Sequence, residues 1–304
     1  MRRPIRFLVV LPLLGLLAAG AGCALSPQPF AQLAGLLLDE RLDEVSGLAA
    51  SRRHDDLLWA INDGGNGAYL HAIGTRGQHH ATIAVDGIAN TDWEDLAAFQ
   101  ADGRHYLLVA DTGDNGGLRH TLQLHVIEEP GEVRDGARVE AAWSVAFRWP
   151  DGPLDCEAVA VDAAAGEVLL VSKRRDPAEL FSVPLRPGTH EVQVARRIGT
   201  LAGVPRASET ERRDDPERAR LRGQVTAADL APDGRTLAVM TYDNVLLYDQ
   251  GDAGWGAAVA RRPHVRDLAL LPQAEAIAWT ADGPLLYATG EFRPAPLLLL
   301  TPDP

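Results

Sequence analysis

Cysteine is almost absent from this sequence: Cys23 and Cys156 are the two in 304 residues. Once an N-terminal leader is removed, no intrachain disulfide is available even in an oxidising compartment. Lysine is scarcer still, because of 29 Lys plus Arg only Lys173 is lysine. A lysine kept in so arginine-rich a chain either stands there by chance or marks a place where a compact ammonium cannot be replaced by a guanidinium. Positive charge is short overall, with a formal net charge of −13, which argues against nucleic acid and for cations or polar ligands. Gly-x-Ser-x-Gly, His-Glu-x-x-His and phosphate-loop patterns are all missing, and the nine histidines are scattered without metal spacing. Asp111-Thr112-Gly113 mimics an aspartic protease signature but lacks the second copy needed to share a proton. The segment from Asp111 to Gly116 has the acids of an EF-hand loop misplaced and no closing Glu.

One long apolar run is present, from Phe7 to Ala19, preceded by Arg2, Arg3 and Arg6 and followed by Gly20-Ala21-Gly22-Cys23. This reads as a secretory signal peptide over 1–22, too short for a comfortable membrane span. Small residues before a cysteine resemble a bacterial lipobox, which implies lipidation of Cys23 and a tether over 23–30. Gly20 stands where Leu is usual, so cleavage without lipid stays open. The expected location is the outer membrane or cell surface, otherwise the periplasm or medium, with the membrane touched only through the lipid.

What the rest contains is a repeat. An aliphatic-alanine pair opens a strand-like run at Leu48-Ala49, Leu96-Ala97, Val159-Ala160, Leu230-Ala231 and Ile277-Ala278. A period of about 50–70 residues with several short strands per unit predicts a β-propeller over 31–304. Alternation and turn residues place four strands per unit: 45–50, 57–62, 68–73 and 79–85; 94–99, 105–110, 121–127 and 139–148; 157–161, 167–172, 179–184 and 191–198; 225–231, 235–241, 244–248 and 257–261. The last unit offers 275–280, 285–289 and 296–300, and the spare segment 33–38 completes it and closes the ring. The expectation is an all-β, five-bladed propeller. A sixth blade requires strands within 201–224, where the residues from 206 to 222 are crowded with Glu, Asp and Arg; that stretch reads as a mobile charged insertion over 205–224.

Antiparallel order gathers the starts of the inner strands and the ends of their neighbours on one face. There lie Asn62, Asp63, Trp93, Asp111, Asp114, Lys173 and Tyr242 as ligand-facing candidates. Two residues before the pairs stand Ser46, Glu94, Glu157, Ala228 and Glu275. Three glutamates near one axis repel and need a proton, a cationic side chain or a metal. Hard oxygen donors on separate strands suit Ca²⁺ better than Zn²⁺, so Ser46, Glu94, Glu157 and Glu275 are the candidate ligands. The alternative is that these glutamates cap strands and pair with Lys173, Arg174 or backbone amides.

The spacing of Val45-Ser46-Gly47-Leu48, Trp93-Glu94-Asp95-Leu96, Cys156-Glu157-Ala158-Val159 and Ala274-Glu275-Ala276-Ile277 resembles inner strands of bacterial SdiA-regulated-type envelope propellers. It is also similar to the soluble calcium-activated nucleotidases (apyrases), five-bladed propellers with a channel Ca²⁺ held by Ser and Glu of successive blades. Asn62-Asp63-Gly64-Gly65 and Trp93-Glu94-Asp95 resemble secreted phytase- or esterase-like propellers. Blade four departs, since Ala228 offers no side-chain oxygen and Thr226 is a shifted substitute. The resemblance implies a fold and calcium, not nucleotidase activity. The expected function is an envelope-anchored, monomeric binding scaffold for a small molecule or an envelope protein. The alternative is a metal-dependent hydrolase of phosphate or ester bonds, with Lys173, Arg174, Asp63 and Asp111 as the catalytic candidates; a metal-free assembly protein is a third reading.

Overall fold

A computed structural model describes residues 30–268 and 271–302. The leader, most of the tether and Cys23 lie outside the described residues. After β1 (Ala31–Leu37), four-stranded meanders follow in order. The first is β2 (Val45–Ala50), β3 (Leu57–Asn62), β4 (Tyr69–Gly74) and β5 (His79–Asp86); the second is β6 (Trp93–Ala101), β7 (Arg104–Asp111), β8 (Leu122–Glu128) and β9 (Arg138–Arg148). The third is β10 (Ala158–Asp162), β11 (Glu167–Val171), β12 (Glu179–Pro184), β13 (Val192–Val194) and β14 (Arg196–Thr200). Two short helices, α1 (Glu209–Asp214) and α2 (Pro216–Leu221), precede β15 (Val225–Leu230), β16 (Thr236–Thr241), β17 (Asn244–Asp249), α3 (Gly254–Val259) and β18 (His264–Asp267). The last strands are β19 (Ala274–Trp279), β20 (Leu286–Gly290) and β21 (Ala295–Leu300).

The first strand of each meander lies beside the first strand of the next: β2 by β6, β6 by β10, β10 by β15, β15 by β19, and β19 back against β2. The units therefore form a closed ring, and the fold is a β-propeller. Closure uses both ends of the described chain, with β1 antiparallel to β21 from Ala31 opposite Leu300 to Leu37 opposite Ala295. The apolar core sits in the seams between neighbouring units. Trp59, Ile83, Trp93 and Leu107 fill the seam between the first and second, and Phe147, Trp149, Val159 and Phe181 that between the second and third. The innermost strands β2, β10, β15 and β19 are buried at every residue, whereas outer β5 alternates buried and half-exposed positions from Ala81 to Asp86. That contrast follows from enclosure on both faces at the axis and solvent on one face at the rim.

Two expected strands differ. The fourth strand of unit four, expected at 257–261, is the helix α3 followed by β18; Trp255, Ala258 and Val259 bury one helical face at a spacing of three and four, not two. The fourth strand of unit three, expected at 191–198, is split at buried Ala195. Its first half pairs in parallel with β9 and its second half with β12. The 201–224 stretch holds no strand. Ser208 and Glu211 form a reciprocal capping box that starts α1, and Asp215 caps α2 ahead of Pro216.

Each inner strand is the edge of its own sheet yet is buried at the axis, so its free backbone groups need partners. Asp95, fully buried, accepts from its neighbour Leu96 N at 2.8 Å, from Val159 N at 2.8 Å and from Ala228 N at 3.2 Å. Asp229 accepts from Leu230 N at 2.9 Å and Trp279 N at 2.8 Å. Two carboxylates thus bind four inner strands together. Asp95→Asn turns one acceptor into a donor facing backbone N–H groups and should cost about 1–3 kcal/mol. Urea unfolding measures this; a loss below about 0.5 kcal/mol would show that the amide donors find other partners.

Candidate cation site at one end of the ring

The inner strands are offset from their neighbours at one end. Register shifts between Val45 and Gly47, Trp93 and Asp95, Val225 and Ala227, and Ala274 and Ala276 leave Ser46, Glu94, Thr226 and Glu275 as bulged residues. A bulge turns its side chain out of the strand's alternation. In this frame unit four presents Thr226, not Ala228: Ala228 N shares Asp95 with Val159 N, so Ala228 corresponds to the aliphatic member of the other pairs. Thr226 is also the counterpart of Ser46 in its bond. Ser46 Oγ donates to Trp93 O at 2.9 Å, and Thr226 Oγ1 donates to Ala274 O at 2.7 Å, in each case the carbonyl before the next unit's glutamate. Thr112 Oγ1 does the same to Cys156 O at 2.7 Å, ahead of Glu157.

Five carboxylates converge in two overlapping triads. Asp63, Asp92 and Glu94 bring ligand oxygens within 4.8 Å of one another, and so do Glu94, Asp155 and Glu157. Glu94 is common to both. It is only 5 % exposed, and among the described residues it receives no hydrogen bond and no ion pair. Its surroundings are shaped for it: a Cβ on Gly113 would lie 2.0 Å from Glu94 Oε1 and 2.4 Å from Asp92 Oδ2, and a Cβ on Gly64 would lie 2.4 Å from Asp92 Oδ1. A side chain at either place would displace the carboxylate ends of Glu94 or Asp92 from the positions they hold here.

The second triad already has cations. Lys173 Nζ bonds Glu157 Oε1, and Arg174 Nε lies 3.4 Å from Asp155 Oδ2, an oxygen with no hydrogen-bond donor. Arg174 is simultaneously held by Asn115, donating to its carbonyl at 3.1 Å and to its side-chain oxygen. Lys173 also lies 5.7 Å from the centre of the Tyr242 ring, and Tyr242 shares a hydrogen bond with Glu275. Glu275 belongs to neither triad, and its charge acts on Lys173 together with that of Glu157.

Burial raises the carboxyl groups, and mutual repulsion adds to it. Glu94 lies well above the ordinary carboxylate range through burial and the charge of Glu157. Burial pushes Glu157 up to about 7 against the pull of Lys173, and burial and Glu157 push Glu275 up to about 9. Burial and Asp63 raise Asp92 to about 6. Lys173 resists the downward effect of burial because Glu157 and Glu275 hold its ammonium charged.

The remaining candidates hold the framework. Asp111 is paired with Arg119 at 2.6 Å; Asp114 accepts from Leu118 N and Arg119 N, and its own N–H donates to Asp155 Oδ1 at 2.9 Å. These bonds fix the loop that presents Gly113. Asn62 donates to Arg41 O and has its own side-chain oxygen unpaired. Trp93 is fully buried in a seam with its indole N–H on Ala89 O, so it is a packing residue and not a ligand-facing one. Cys156 is fully buried, and burial holds its thiol far above the ordinary range. The triads add Asp92 and Asp155 to the expected ligands; the signal in the chain is an Asp-x-Glu leading into two successive inner strands, Asp92-Trp93-Glu94 and Asp155-Cys156-Glu157.

No family model matches the chain, and no curated protein matches it. Among solved structures, one titled "Crystal structure of Nidogen/Laminin Complex" is similar in shape at 14% identity and a TM-score of 0.47, over 84% of this chain and 74% of that one. The propeller assignment stands on the strand ladders themselves.

Carboxyl groups with raised folded-state values bind protons more tightly in the folded chain than in the unfolded one, where they titrate near 4. Stability therefore falls as pH rises from about 4 through the folded values of about 6 for Asp92 and about 9 for Glu275. Melting temperatures in chelator should decline steadily from pH 5 to pH 9. A melting temperature that rises over that interval would mean the acids are already compensated.

Proposed function

We propose that the chain is an exported propeller whose acid cluster takes up a hard divalent cation, Ca²⁺ in the first instance, and that the ion completes a binding face for a small molecule or an envelope partner. The observation that carries this reading is Glu94, buried without a partner between two pairs of carboxylates. An all-oxygen donor set of irregular geometry suits Ca²⁺, which accepts six to eight oxygens at about 2.3–2.6 Å. Two oxygens on one such ion lie at most about 5 Å apart, and the spread of each triad fits within that limit. The open half is the one formed by Asp63, Asp92 and Glu94, none of which has an ion-pair partner among the described residues. Asp63 and Asp92 are half-exposed there and leave the ion a side toward solvent. Ser46 and Glu275 fall outside this half, so the ligand set proposed here centres on Glu94 and extends toward Asp63 and Asp92. Cys23, if lipidated, would tether the ring to the membrane surface.

Ca²⁺ at a hundred times its dissociation constant should stabilise the wild-type chain by about 2.7 kcal/mol. Glu94→Gln and Asp92→Asn should each remove most of that gain while leaving the chelated protein as stable or more so, because a buried like-charge is relieved. Differential scanning calorimetry with calcium and with chelator makes the comparison. Equal melting temperatures in the two conditions for the wild type would overturn the reading.

A second reading, hydrolysis of phosphate or ester bonds, draws on Lys173 and Arg174 standing beside the cluster, where an ion and two fixed cations would stabilise developing negative charge. Turnover of p-nitrophenyl phosphate, nucleotides or p-nitrophenyl esters that is calcium-dependent and lost in Glu94→Gln is the expected sign. No turnover across the panel removes it and leaves the binding face.

A further inference from the structure

The acid cluster has a basic counterpart on the other side of Lys173 and Arg174. A cavity of about 180 Å³ lies between the third unit and the α1–α2 hairpin. Its wall includes Arg174, Arg175, Arg206, Arg212, Arg220 and Arg222, together with Lys173, against one acid, Asp176. In a chain with a formal charge of −13 such a concentration of guanidinium groups needs a cause.

Several of these cations are already paired. Arg175 pairs with Glu179, Arg206 with Asp176 at 2.6 Å, and Arg222 with Glu211 at 2.6 Å. What remains unpaired converges on the hollow. Arg212 and Arg220 have no ion-pair partner among the described residues, and Arg222 Nε is buried without an acceptor. Arg212 comes from α1 and Arg220 from α2, so the hairpin itself brings the two guanidiniums to one wall. The hairpin is held in place by its capping box and by Arg218 and Arg222 reaching Asp243 at 3.3 and 3.8 Å. Like charges gathered by a pinned element repel unless something negative lies among them.

We infer that this cavity is a binding site for a doubly charged tetrahedral oxyanion, phosphate or sulfate in type, held by Arg212, Arg220 and the free Nε–H of Arg222. Planar guanidinium forks match such oxyanions in two-pronged hydrogen bonds. A carboxylate of single charge fills less of the hollow and neutralises half as much. Arg174 belongs to both sites: it lines this cavity and also stands 3.4 Å from Asp155 in the acid cluster. An anion that draws Arg174 toward the cavity releases Asp155 oxygen for a cation, so the two sites reinforce one another when both are filled. The anion site itself rests on the arginines alone and is independent of the cation reading.

The test uses the mature protein in chelator, with inorganic phosphate, sulfate and acetate titrated calorimetrically at constant ionic strength. Phosphate or sulfate should bind saturably with one site per chain, and acetate at least tenfold more weakly. The double substitution Arg212→Ala/Arg220→Ala removes two exposed side chains from helices in which alanine is favourable, and it should weaken oxyanion binding at least tenfold with an unchanged melting temperature in chelator. Absence of saturable phosphate or sulfate binding by the wild type, binding that acetate matches, or binding that the double variant retains in full would each overturn the inference. Because calcium is absent throughout, failure here leaves the cation reading standing, and failure of calcium binding leaves this one standing.

Discussion

The structure depends on how the backbone is satisfied at the axis of the ring. Five short inner strands meet there as sheet edges, and each carries N–H and C=O groups that no ladder pairs and no water freely reaches. Asp95 and Asp229 supply acceptors, and Ser46, Thr112 and Thr226 supply donors across the joints. This stitching fixes where each inner strand begins relative to the next. The bulged residues at that end therefore stand in a constant frame, and the acid cluster inherits its position from it.

The same arrangement explains the unequal treatment of the acids. Carboxylates pinned by two or three amides, such as Asp95, tie strands together, whereas Glu94 has no donor among the described residues and stands beside Gly113. Lys173 pairs with Glu157 and lies over the Tyr242 ring, so the triad of Glu94, Asp155 and Glu157 holds a cation that the triad of Asp63, Asp92 and Glu94 lacks among the described residues. A single retained lysine, unremarkable as composition, is the charge that makes the two triads differ.

Period-two alternation, turn glycines and the aliphatic-alanine pair were sufficient to place nearly all the strands and the closing segment, because burial on sheet faces writes directly into residue pattern. Glu94, Glu157 and the proximity of Lys173 were legible for the same reason. Three things were not. The α3 segment is short and alanine-rich, and its helical spacing of Trp255, Ala258 and Val259 is too brief to stand out. The hairpin of α1 and α2 is hidden by charge, though Ser208-Glu209-Thr210-Glu211 carried its start signal. Asp92 and Asp155 lie in the loops just ahead of the inner strands, where strand periodicity assigns no direction, and the bulge in β15 puts Thr226 where the sequence spacing had pointed to Ala228.

The pairing of β1 with β21 has a kinetic meaning. The last sheet is complete only when strands from opposite ends of the chain have met, and bringing such distant segments together costs on the order of 5 kcal/mol of chain entropy. Every other unit can form from contiguous sequence as it emerges, but this one cannot. Ring closure is therefore a late step of folding, and a truncated or incompletely synthesised chain retains an exposed strand edge open to pairing with its neighbours.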